Sequence, residues 1–194
     1  MGLRERSYSI LLVSASEKTN KNLIDLLPSS EYDSINTVHN VNTAKRLIAD
    51  RDFDFIIVNS PLPDDDGMRF SIDASSRKNT VVLLMVKADI YDETLDTCAD
   101  FGVFLISKPL SVSTMEMALD WLKSARERLR QTEKKVLSIE EKMAEIRIVN
   151  RAKWLLISEL KMSEQDAHRY IEKQAMDRCV SRRQIAEEII KPYG

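Results

Sequence analysis

The sequence contains little cysteine and no long apolar run. No apolar run approaches the roughly 18 residues that span a bilayer, and the apolar stretch near the start is too short for a secretory signal. Cys98 and Cys179 lie far apart, without a CxxC motif or neighbouring histidines, which favours idle or buried thiols over a disulfide or a metal site. We therefore expect a cytoplasmic protein with no membrane partner, no bound metal and no cofactor.

Proline and glycine are absent between residues 111 and 191, and this segment shows no strand signal. It is therefore predicted to be helical throughout.

Charge is also divided along the chain. Residues 1–120 hold 12 Lys and Arg against 19 Asp and Glu, whereas residues 121–194 hold 17 against 12. A basic half joined to an acidic half indicates a nucleic-acid-facing module on a control module, although a solvated helical surface would give the same balance.

The first 120 residues alternate β-rich apolar runs with stretches of helix-period spacing. The continuous runs are "YSILLV", "FDFIIV", "VVLLMV" and "GVFLI", with "YDSINTV" as a weaker fifth, and the helical stretches are "KTNKNLIDLL", "NTAKRLIAD", "ETLDTCADF" and "STMEMALDWL". This alternation predicts an α/β domain over residues 1–120, with a doubly wound, five-stranded parallel sheet. Its functional crevice is expected beyond the carboxyl ends of the strands.

Residues 7–120 resemble the receiver domain of two-component response regulators. The resemblance is carried by the loop "NSPLPDDDG" after the third strand and by "KP" after the fifth. It implies a flavodoxin-like fold in which an aspartate accepts a phosphoryl group, an acidic pair holds magnesium, and a hydroxyl residue and a lysine bind the phosphoryl oxygens. The corresponding pocket positions in this sequence are Ser14, Ala15, Asn59, Val86 and Lys108.

These replacements remove the chemistry of phosphoryl transfer. The amide of Asn59 is uncharged and forms no stable acyl phosphate. Ser14 and Ala15 supply no carboxylate for magnesium, and Val86 has no hydroxyl. The pocket is therefore predicted to be degenerate, with no catalytic residue, and the protein is expected not to be an enzyme.

Three acidic residues, Asp64, Asp65 and Asp66, follow the degenerate strand end and precede Gly67. Asp and Gly accept strained backbone conformations, and Asp side chains bond local amides, so we favour turn chemistry over a substitute phosphorylation site. Lys108, without its usual anions, is expected to pair with Asp64 or another loop carboxylate, or to hold the loop.

Apolar residues recur at seven-residue spacing along the predicted long helix, in two rows offset by three, from Met115 and Ala118 onward. This pattern predicts a coiled coil over residues 112–150. A parallel homodimer is favoured over antiparallel packing on the same chain, and Asn150 is a candidate for fixing the register. The predicted dimerisation residues are Leu122, Ala125, Leu129, Val136, Ile139, Met143 and Ile146.

The remaining segment is predicted to form a three-helix module over residues 147–194. Ser163 with Asp166 and Ser181 with Gln184 have capping-box spacing, so helices should begin there. Residues 147–190 resemble an ANTAR domain, the RNA-binding antitermination module of certain response regulators, through "RAK", "SEQDAHRYIEKQAM" and "QIAEEII". Trp154 departs from the small residue common in the family. We favour a packing role for its indole over stacking on a base.

The resemblance implies that a dimer binds hairpin loops in nascent leader RNA and allows transcription to read through a terminator. A regulatory protein partner that sequesters or releases the coil is an expected input. The alternatives are a protein-association scaffold without catalysis and a DNA-binding regulator. Met176 is either an exposed contact or part of the core. The predicted RNA-binding residues are Lys153, Arg169, Lys173, Met176, Arg178, Arg182 and Arg183.

Overall fold

The computed structural model describes residues 7–77 and 79–193. The predicted domain limits at residues 1 and 194 lie outside these ranges. The strands are β1 (Tyr8–Val13), β2 (Tyr32–Val38), β3 (Phe55–Asn59), β4 (Val81–Lys87) and β5 (Phe104–Lys108). The α-helices are α1 (Glu17–Asp25), α2 (Val41–Asp50), α3 (Met68–Ser75), α4 (Tyr91–Cys98), α5 (Val112–Leu160), α6 (Glu164–Asp177) and α7 (Arg182–Ile190).

The five strands form one parallel sheet in the order β2-β1-β3-β4-β5, which confirms the predicted fold class. Every residue of the central strand β3 is buried, as expected for a strand that is covered on both faces. Helix α3 was not among the predicted helical stretches. It begins directly after Gly67, whose backbone is left-handed at φ 80° and where a Cβ would lie 2.7 Å from Val58 Cγ1.

Successive residues of β1 point to opposite faces of the sheet, and each face has its own core. Leu11 and Val13 pack in the cluster that includes residues of α2, α3 and α4, whereas Ile10 and Leu12 pack in the cluster that includes residues of α1 and α5. Cys98 is fully buried in the first cluster, and burial raises the pKa of its thiol. These two layers form the doubly wound arrangement predicted from the runs.

Helix α5 is 49 residues long, and its first part belongs to the core of the N-terminal unit. The chain divides into two compact units, Met1–Arg130 and Gln131–Gly194. Leu122 is 0% exposed in the cluster beneath the sheet, and Ala125 packs against the same cluster. Their assignment to a dimer interface is therefore wrong, because a three-and-four spacing buries the same stripe against a sheet as against a second helix.

An ion-pair cluster holds the end of this part of α5 against the amino end of the sheet. Asp54 accepts hydrogen bonds from the backbone N–H and the hydroxyl of Ser9, both at 3.0 Å, and from Arg126 Nε at 2.7 Å and an Arg130 nitrogen at 2.9 Å. The Arg130 guanidinium also lies 5.0 Å from the centre of the Tyr8 ring. Burial raises the pKa of Asp54, but the bonds from Ser9 and Arg126 outweigh it and hold the pKa below its ordinary value.

The C-terminal unit packs the last part of α5 with α6 and α7 around a small core. Its buried members are mainly alanine and aliphatic residues: Ala152, Leu156, Ala167, Ile171, Ala175, Ile185 and Ala186. Ser163 Oγ accepts from the Asp166 N–H, and Ser181 Oγ accepts from the Gln184 N–H, both at 3.1 Å. These caps confirm both predicted helix starts.

Candidate functional site

Three of the five predicted pocket residues meet at the carboxyl end of the sheet, and we call them the asparagine pocket: Ser14, Asn59 and Lys108. Asn59 is 7% exposed at the end of β3, and its Nδ2 donates to Ser14 Oγ at 3.0 Å. Lys108 Nζ donates to Asn59 Oδ1 at 2.8 Å and to the Ser60 carbonyl. The amide thus bridges a hydroxyl and an ammonium, so its oxygen and its nitrogen both have partners.

The other two pocket positions add no polar group to this network. Ala15 is exposed after β1, and Val86 is buried within β4. Burial and the charge of Lys87 lower the pKa of Lys108, which lacks a carboxylate partner in the described part of the chain. Within residues 7–77 and 79–193, no group of three or more His, Cys, Asp or Glu is placed to hold a metal ion. The asparagine pocket is a hydrogen-bond network of two uncharged side chains, Ser14 and Asn59, and one cation, Lys108.

The acidic loop after β3 is engaged locally and does not reach Lys108. Asp64 accepts from the Val41 and Asn42 N–H groups at the start of α2, at 2.9 and 3.0 Å, and these bonds lower the pKa of its carboxyl. Of the alternatives for Lys108, the pair with Asp64 is therefore wrong, because the start of α2 offers Asp64 unpaired backbone donors. The bond from Lys108 Nζ to the Ser60 carbonyl agrees with the other alternative, that Lys108 holds this loop.

The other two loop carboxylates form turns. Asp65 Oδ1 accepts from the Gly67 N–H at 2.7 Å, and Asp66 Oδ1 accepts from the Met68 N–H at 2.9 Å. Each bond spans two residues, which is the Asx-turn pattern. The turn interpretation is confirmed for these two residues.

Beyond Leu122 and Ala125, the other predicted dimerisation residues form an exposed apolar stripe on α5. Their exposed fractions range from 39% at Leu129 to 58% at Ile146. Around Val136, Ile139 and Met143, nearly all helix positions from 131 to 143 are exposed, so no described element of the C-terminal unit covers this part of the stripe. We call this stripe the seam: Leu129, Val136, Ile139, Met143 and Ile146.

Three of the predicted RNA-binding residues form one exposed surface on α6, which we call the α6 surface: Arg169, Lys173 and Met176. Ala167 and Ile171 of the same helix are buried in the core, so this surface lies on the opposite side. Met176 is 77% exposed, which excludes the core interpretation. No carboxylate of the described residues lies within ion-pair distance of Arg169 or Lys173.

The remaining predicted RNA contacts are cations that already have carboxylate partners. Lys153 Nζ lies 3.3 Å from Glu164, and Arg182 lies 3.5 Å from Glu145 and 3.8 Å from Glu172. Arg178 donates twice to Glu188, and Arg183 Nε donates to Glu187 at 2.8 Å. A phosphate would have to displace these carboxylates. The α6 surface has no such cost.

Trp154 lies on α5 and is 71% exposed, so the packing role that we favoured is not found within the C-terminal unit. Two helix turns of the same face also carry Arg147 and Arg151, which sequence reasoning did not select. Their spacing of three and seven residues from Trp154 is the signal that could have identified them.

The fold and the sequence of the two units point to two known kinds of domain. Residues 138–190 match the model of the ANTAR domain family, so the C-terminal unit carries an ANTAR domain. The sheet order and the helices around it are those of a receiver fold, and solved receivers superimpose on this chain.

The similar proteins include a transcriptional regulatory protein and a signal receiver domain. The transcriptional regulatory protein PdtaR of Mycobacterium tuberculosis is 24% identical over 173 residues, which cover 89% of this chain and 84% of that protein. The signal receiver domain of an HD domain-containing protein from Pseudomonas fluorescens Pf-5 superimposes with a TM-score of 0.57 at 22% identity, covering 68% of this chain and 96% of that one.

A further solved structure extends the likeness in fold. A two-component response regulator from Clostridium difficile superimposes with a TM-score of 0.53 at 18% identity, covering 61% of this chain and 97% of that one. No helix within residues 7–77 and 79–193 is both long and apolar enough to span a membrane.

Proposed function

We propose that this chain is a non-enzymatic transcription antitermination regulator that binds hairpin loops in nascent leader RNA as a dimer. Its receiver-like unit does not accept aspartyl phosphate. The observation that carries the RNA-binding part is the α6 surface. It lies within the ANTAR match and presents an exposed methionine beside two cations that form no ion pair with a described residue.

The chemistry of the α6 surface suits an RNA loop. Arg169 and Lys173 can reach phosphates without breaking an ion pair, and the thioether of Met176 offers an apolar contact to an unstacked base. Proteins that read RNA sequence mostly do so at loops, where bases are free of pairing and their edges and faces are accessible. Cations that are already paired, such as Arg178 and Arg183, are expected to contribute less.

The seam supports dimerisation through α5. With Val136 and Met143 in one core row and Ile139 and Ile146 in the other, Lys135 falls at a g position and Glu140 at the following e position. In a parallel, in-register coiled coil these positions face each other across the interface, so each Lys135 meets a Glu140 of the second copy. Two linked RNA-binding units then gain avidity from two loops on one transcript.

The asparagine pocket supports the proposal that phosphorylation is not the input. Asn59 occupies the strand end with a neutral amide that Lys108 and Ser14 already engage. An amide is not the anionic nucleophile that phosphoryl transfer requires. Because this pocket is not expected to accept a phosphoryl group, the proposed input is a protein partner of the coil or the dimerisation equilibrium.

Binding of the purified protein to hairpin RNAs with varied loops, with duplex DNA as competitor, tests the proposal. An Arg169→Ala, Lys173→Ala variant should lose loop-dependent binding and lower the slope of log affinity against log salt by about one per cation. The matched control is Lys18→Ala, Lys21→Ala, which removes two exposed cations from α1 and should bind as the unaltered chain does.

Three outcomes would contradict parts of the proposal. Equal competition by duplex DNA would support a DNA-binding regulator. The absence of hairpin binding at concentrations where the protein is dimeric would favour a protein-association scaffold. Hairpin binding that the α6 variant retains would keep the function but remove the α6 surface from it.

A further inference from the structure

Trp154 is a large aromatic side chain that the fold leaves in solvent. Its indole is 71% exposed, whereas Ala152 and Leu156 on either side of it along α5 are buried against α6 and α7. At 100° per residue, Trp154 lies on the face of the helix opposite Ala152. Exposure of most of an indole forgoes a large gain from burial, so this position is unusual for a residue without a partner.

The surroundings of Trp154 on this face are basic and polar. Asn150 and Arg151 lie one turn before it and Arg147 two turns before it, and all three are exposed. Residues three, four and seven apart on a helix are neighbours on its surface. We call this group the indole face: Arg147, Asn150, Arg151 and Trp154.

The two guanidinium groups of the indole face form no ion pair with a described residue. The segment 147–158, "RIVNRAKWLLIS", contains no acidic residue. No carboxylate of residues 7–77 and 79–193 lies within ion-pair distance of Arg147 or Arg151, in contrast to Arg178, Arg182 and Arg183 of the same unit. An aromatic plane flanked by free guanidinium groups is the arrangement on which single-stranded nucleic acids stack their bases and place their phosphates.

From this arrangement we infer that the indole face is a second RNA contact, in which an unpaired nucleotide stacks on Trp154 and its flanking phosphates bind Arg147 and Arg151. The inference rests on the proposed RNA binding and deepens it. The α6 surface contacts the hairpin loop, and the indole face takes single-stranded RNA adjoining the hairpin. Stacking on an indole is tolerant of sequence because every base has a π-face.

A second copy of the chain is the competing occupant, since the seam leads along α5 towards Trp154. The charges disfavour it. If the heptads of the seam continue, Arg147 occupies an e position and Lys142 the preceding g position. A parallel second copy would therefore bring Arg147 beside the other chain's Lys142, two like charges. Lys135 and Glu140 make the opposite, attractive combination, so the favourable interface ends near Ile146 and the indole face remains for a polyanion.

Tryptophan fluorescence tests the inference directly, because the chain has two tryptophans, and both are on α5. A Trp121→Phe variant leaves Trp154 as the single fluorophore, and a Trp154→Phe variant leaves Trp121, which is 49% exposed in the N-terminal unit. Titration with a single-stranded oligouridylate should quench the first variant in a saturable way and leave the second unchanged. Absence of quenching in the first variant, with hairpin binding intact, would overturn the indole face but not the proposed function.

The affinities of Trp154 variants for the oligouridylate separate stacking on the aromatic plane from contact with an apolar side chain. Trp154→Leu keeps an apolar side chain but removes the aromatic plane, and should weaken oligouridylate binding about tenfold, whereas Trp154→Tyr should retain most of it. Arg151→Gln should weaken binding and reduce its salt dependence.

If Trp154→Leu instead weakens dimerisation in sedimentation and leaves RNA affinity unchanged, the face is a contact between copies and the inference is wrong. Quenching by single strands without any hairpin binding would remove the proposed function while keeping the site.

Discussion

The two compact units use their polar side chains in opposite ways. In the N-terminal unit, Asn59 and Lys108 are satisfied by each other and by neighbouring groups at the end of the sheet. In the C-terminal unit, Arg169, Lys173 and Arg151 are exposed and have no carboxylate partner within residues 7–77 and 79–193. A pocket whose donors and acceptors are already paired has little to offer a ligand, whereas free cations on a small helical unit are available to one.

Helix α5 belongs to both units, and the same apolar spacing has different roles in each. Leu122 is buried beneath the sheet, and Ile139 is exposed in the seam. Core residues stabilise the fold of one chain. Seam residues are expected to stabilise association of two, so substitutions along one helix can separate these contributions.

The largest effect on stability is expected from Leu122→Ala. Truncating a fully buried leucine costs about 2 to 5 kcal/mol of the free energy of unfolding, through lost burial and the cavity that remains. Denaturant unfolding followed by circular dichroism should show this loss at every protein concentration. Ile139→Ala is the matched control, and its effect should appear as a weaker dimer in sedimentation. A concentration-dependent loss for Leu122→Ala would return this residue to the interface.

A smaller effect is expected from Asp54→Asn, which removes the charge that Arg126 and Arg130 share. Hydrogen bonds to charged groups contribute about 1.5 to 3 kcal/mol each, and Asn retains part of the bonding to Ser9, so the expected cost is about 2 kcal/mol at neutral pH. Asp73→Asn, a change at a carboxylate of α3, is the comparison for loss of charge alone.

The pH dependence of this cost has a definite sign. The folded pKa of Asp54 is lowered, so its contribution is present above the pKa of the unfolded chain and is lost as pH falls through the folded value. Unfolding curves of the unaltered chain and of Asp54→Asn should therefore converge in acid. Parallel curves down to low pH would show that the Asp54 charge does not stabilise the fold.

Much of the fold could be predicted because hydrophobic period is a local signal. Continuous runs such as "VVLLMV" identified buried strands, and the absence of proline and glycine identified α5. Helix α3 was missed because it is short and follows a loop of turn residues. The spacing of apolar residues also could not decide whether Leu122 belongs to the core or to a dimer interface, since it indicates that a stripe is buried but not what buries it.

For the candidate sites, the sequence predicted which residue types are present but not which residues bond to each other. That Asn59 stands where a receiver carries its phosphorylated carboxylate follows from the resemblance of the loop "NSPLPDDDG" and stays a prediction. That Asp64 caps α2 while Lys108 bonds the amide depends on how distant elements meet. The exposure of Trp154 likewise depends on which face of α5 the other two helices cover.

Loss of a single helix cap should have a smaller effect than either change in the N-terminal unit. Ser163→Ala removes the acceptor for the Asp166 N–H and should cost about 1 kcal/mol of the free energy of unfolding of the C-terminal unit. The matched control is Ser158→Ala, near the end of α5, where the hydroxyl bonds the Leu155 carbonyl within the helix. A larger loss in the control would show that the cap at α6 does not limit the stability of this unit.

The smallest effect is expected on phosphorylation, when a carboxylate is introduced at position 59 without other changes. Asn59→Asp places a carboxylate at the end of β3, but Ser14 and Ala15 still offer magnesium no charge, and Lys108 would bind the new carboxylate in place. Incubation with a small-molecule phosphodonor and magnesium should therefore give no phosphoryl adduct by intact mass spectrometry. Ser14→Asp, Ala15→Asp, Asn59→Asp is the informative companion, since it restores the metal ligands as well. Phosphorylation of the triple variant alone would show that the scaffold is competent and that charge is what it lacks. Phosphorylation of the Asn59→Asp variant would mean that groups other than Ser14 and Ala15 supply the magnesium ligands. The contrast between an N-terminal pocket whose polar groups are paired and a C-terminal unit with free cations would then fail.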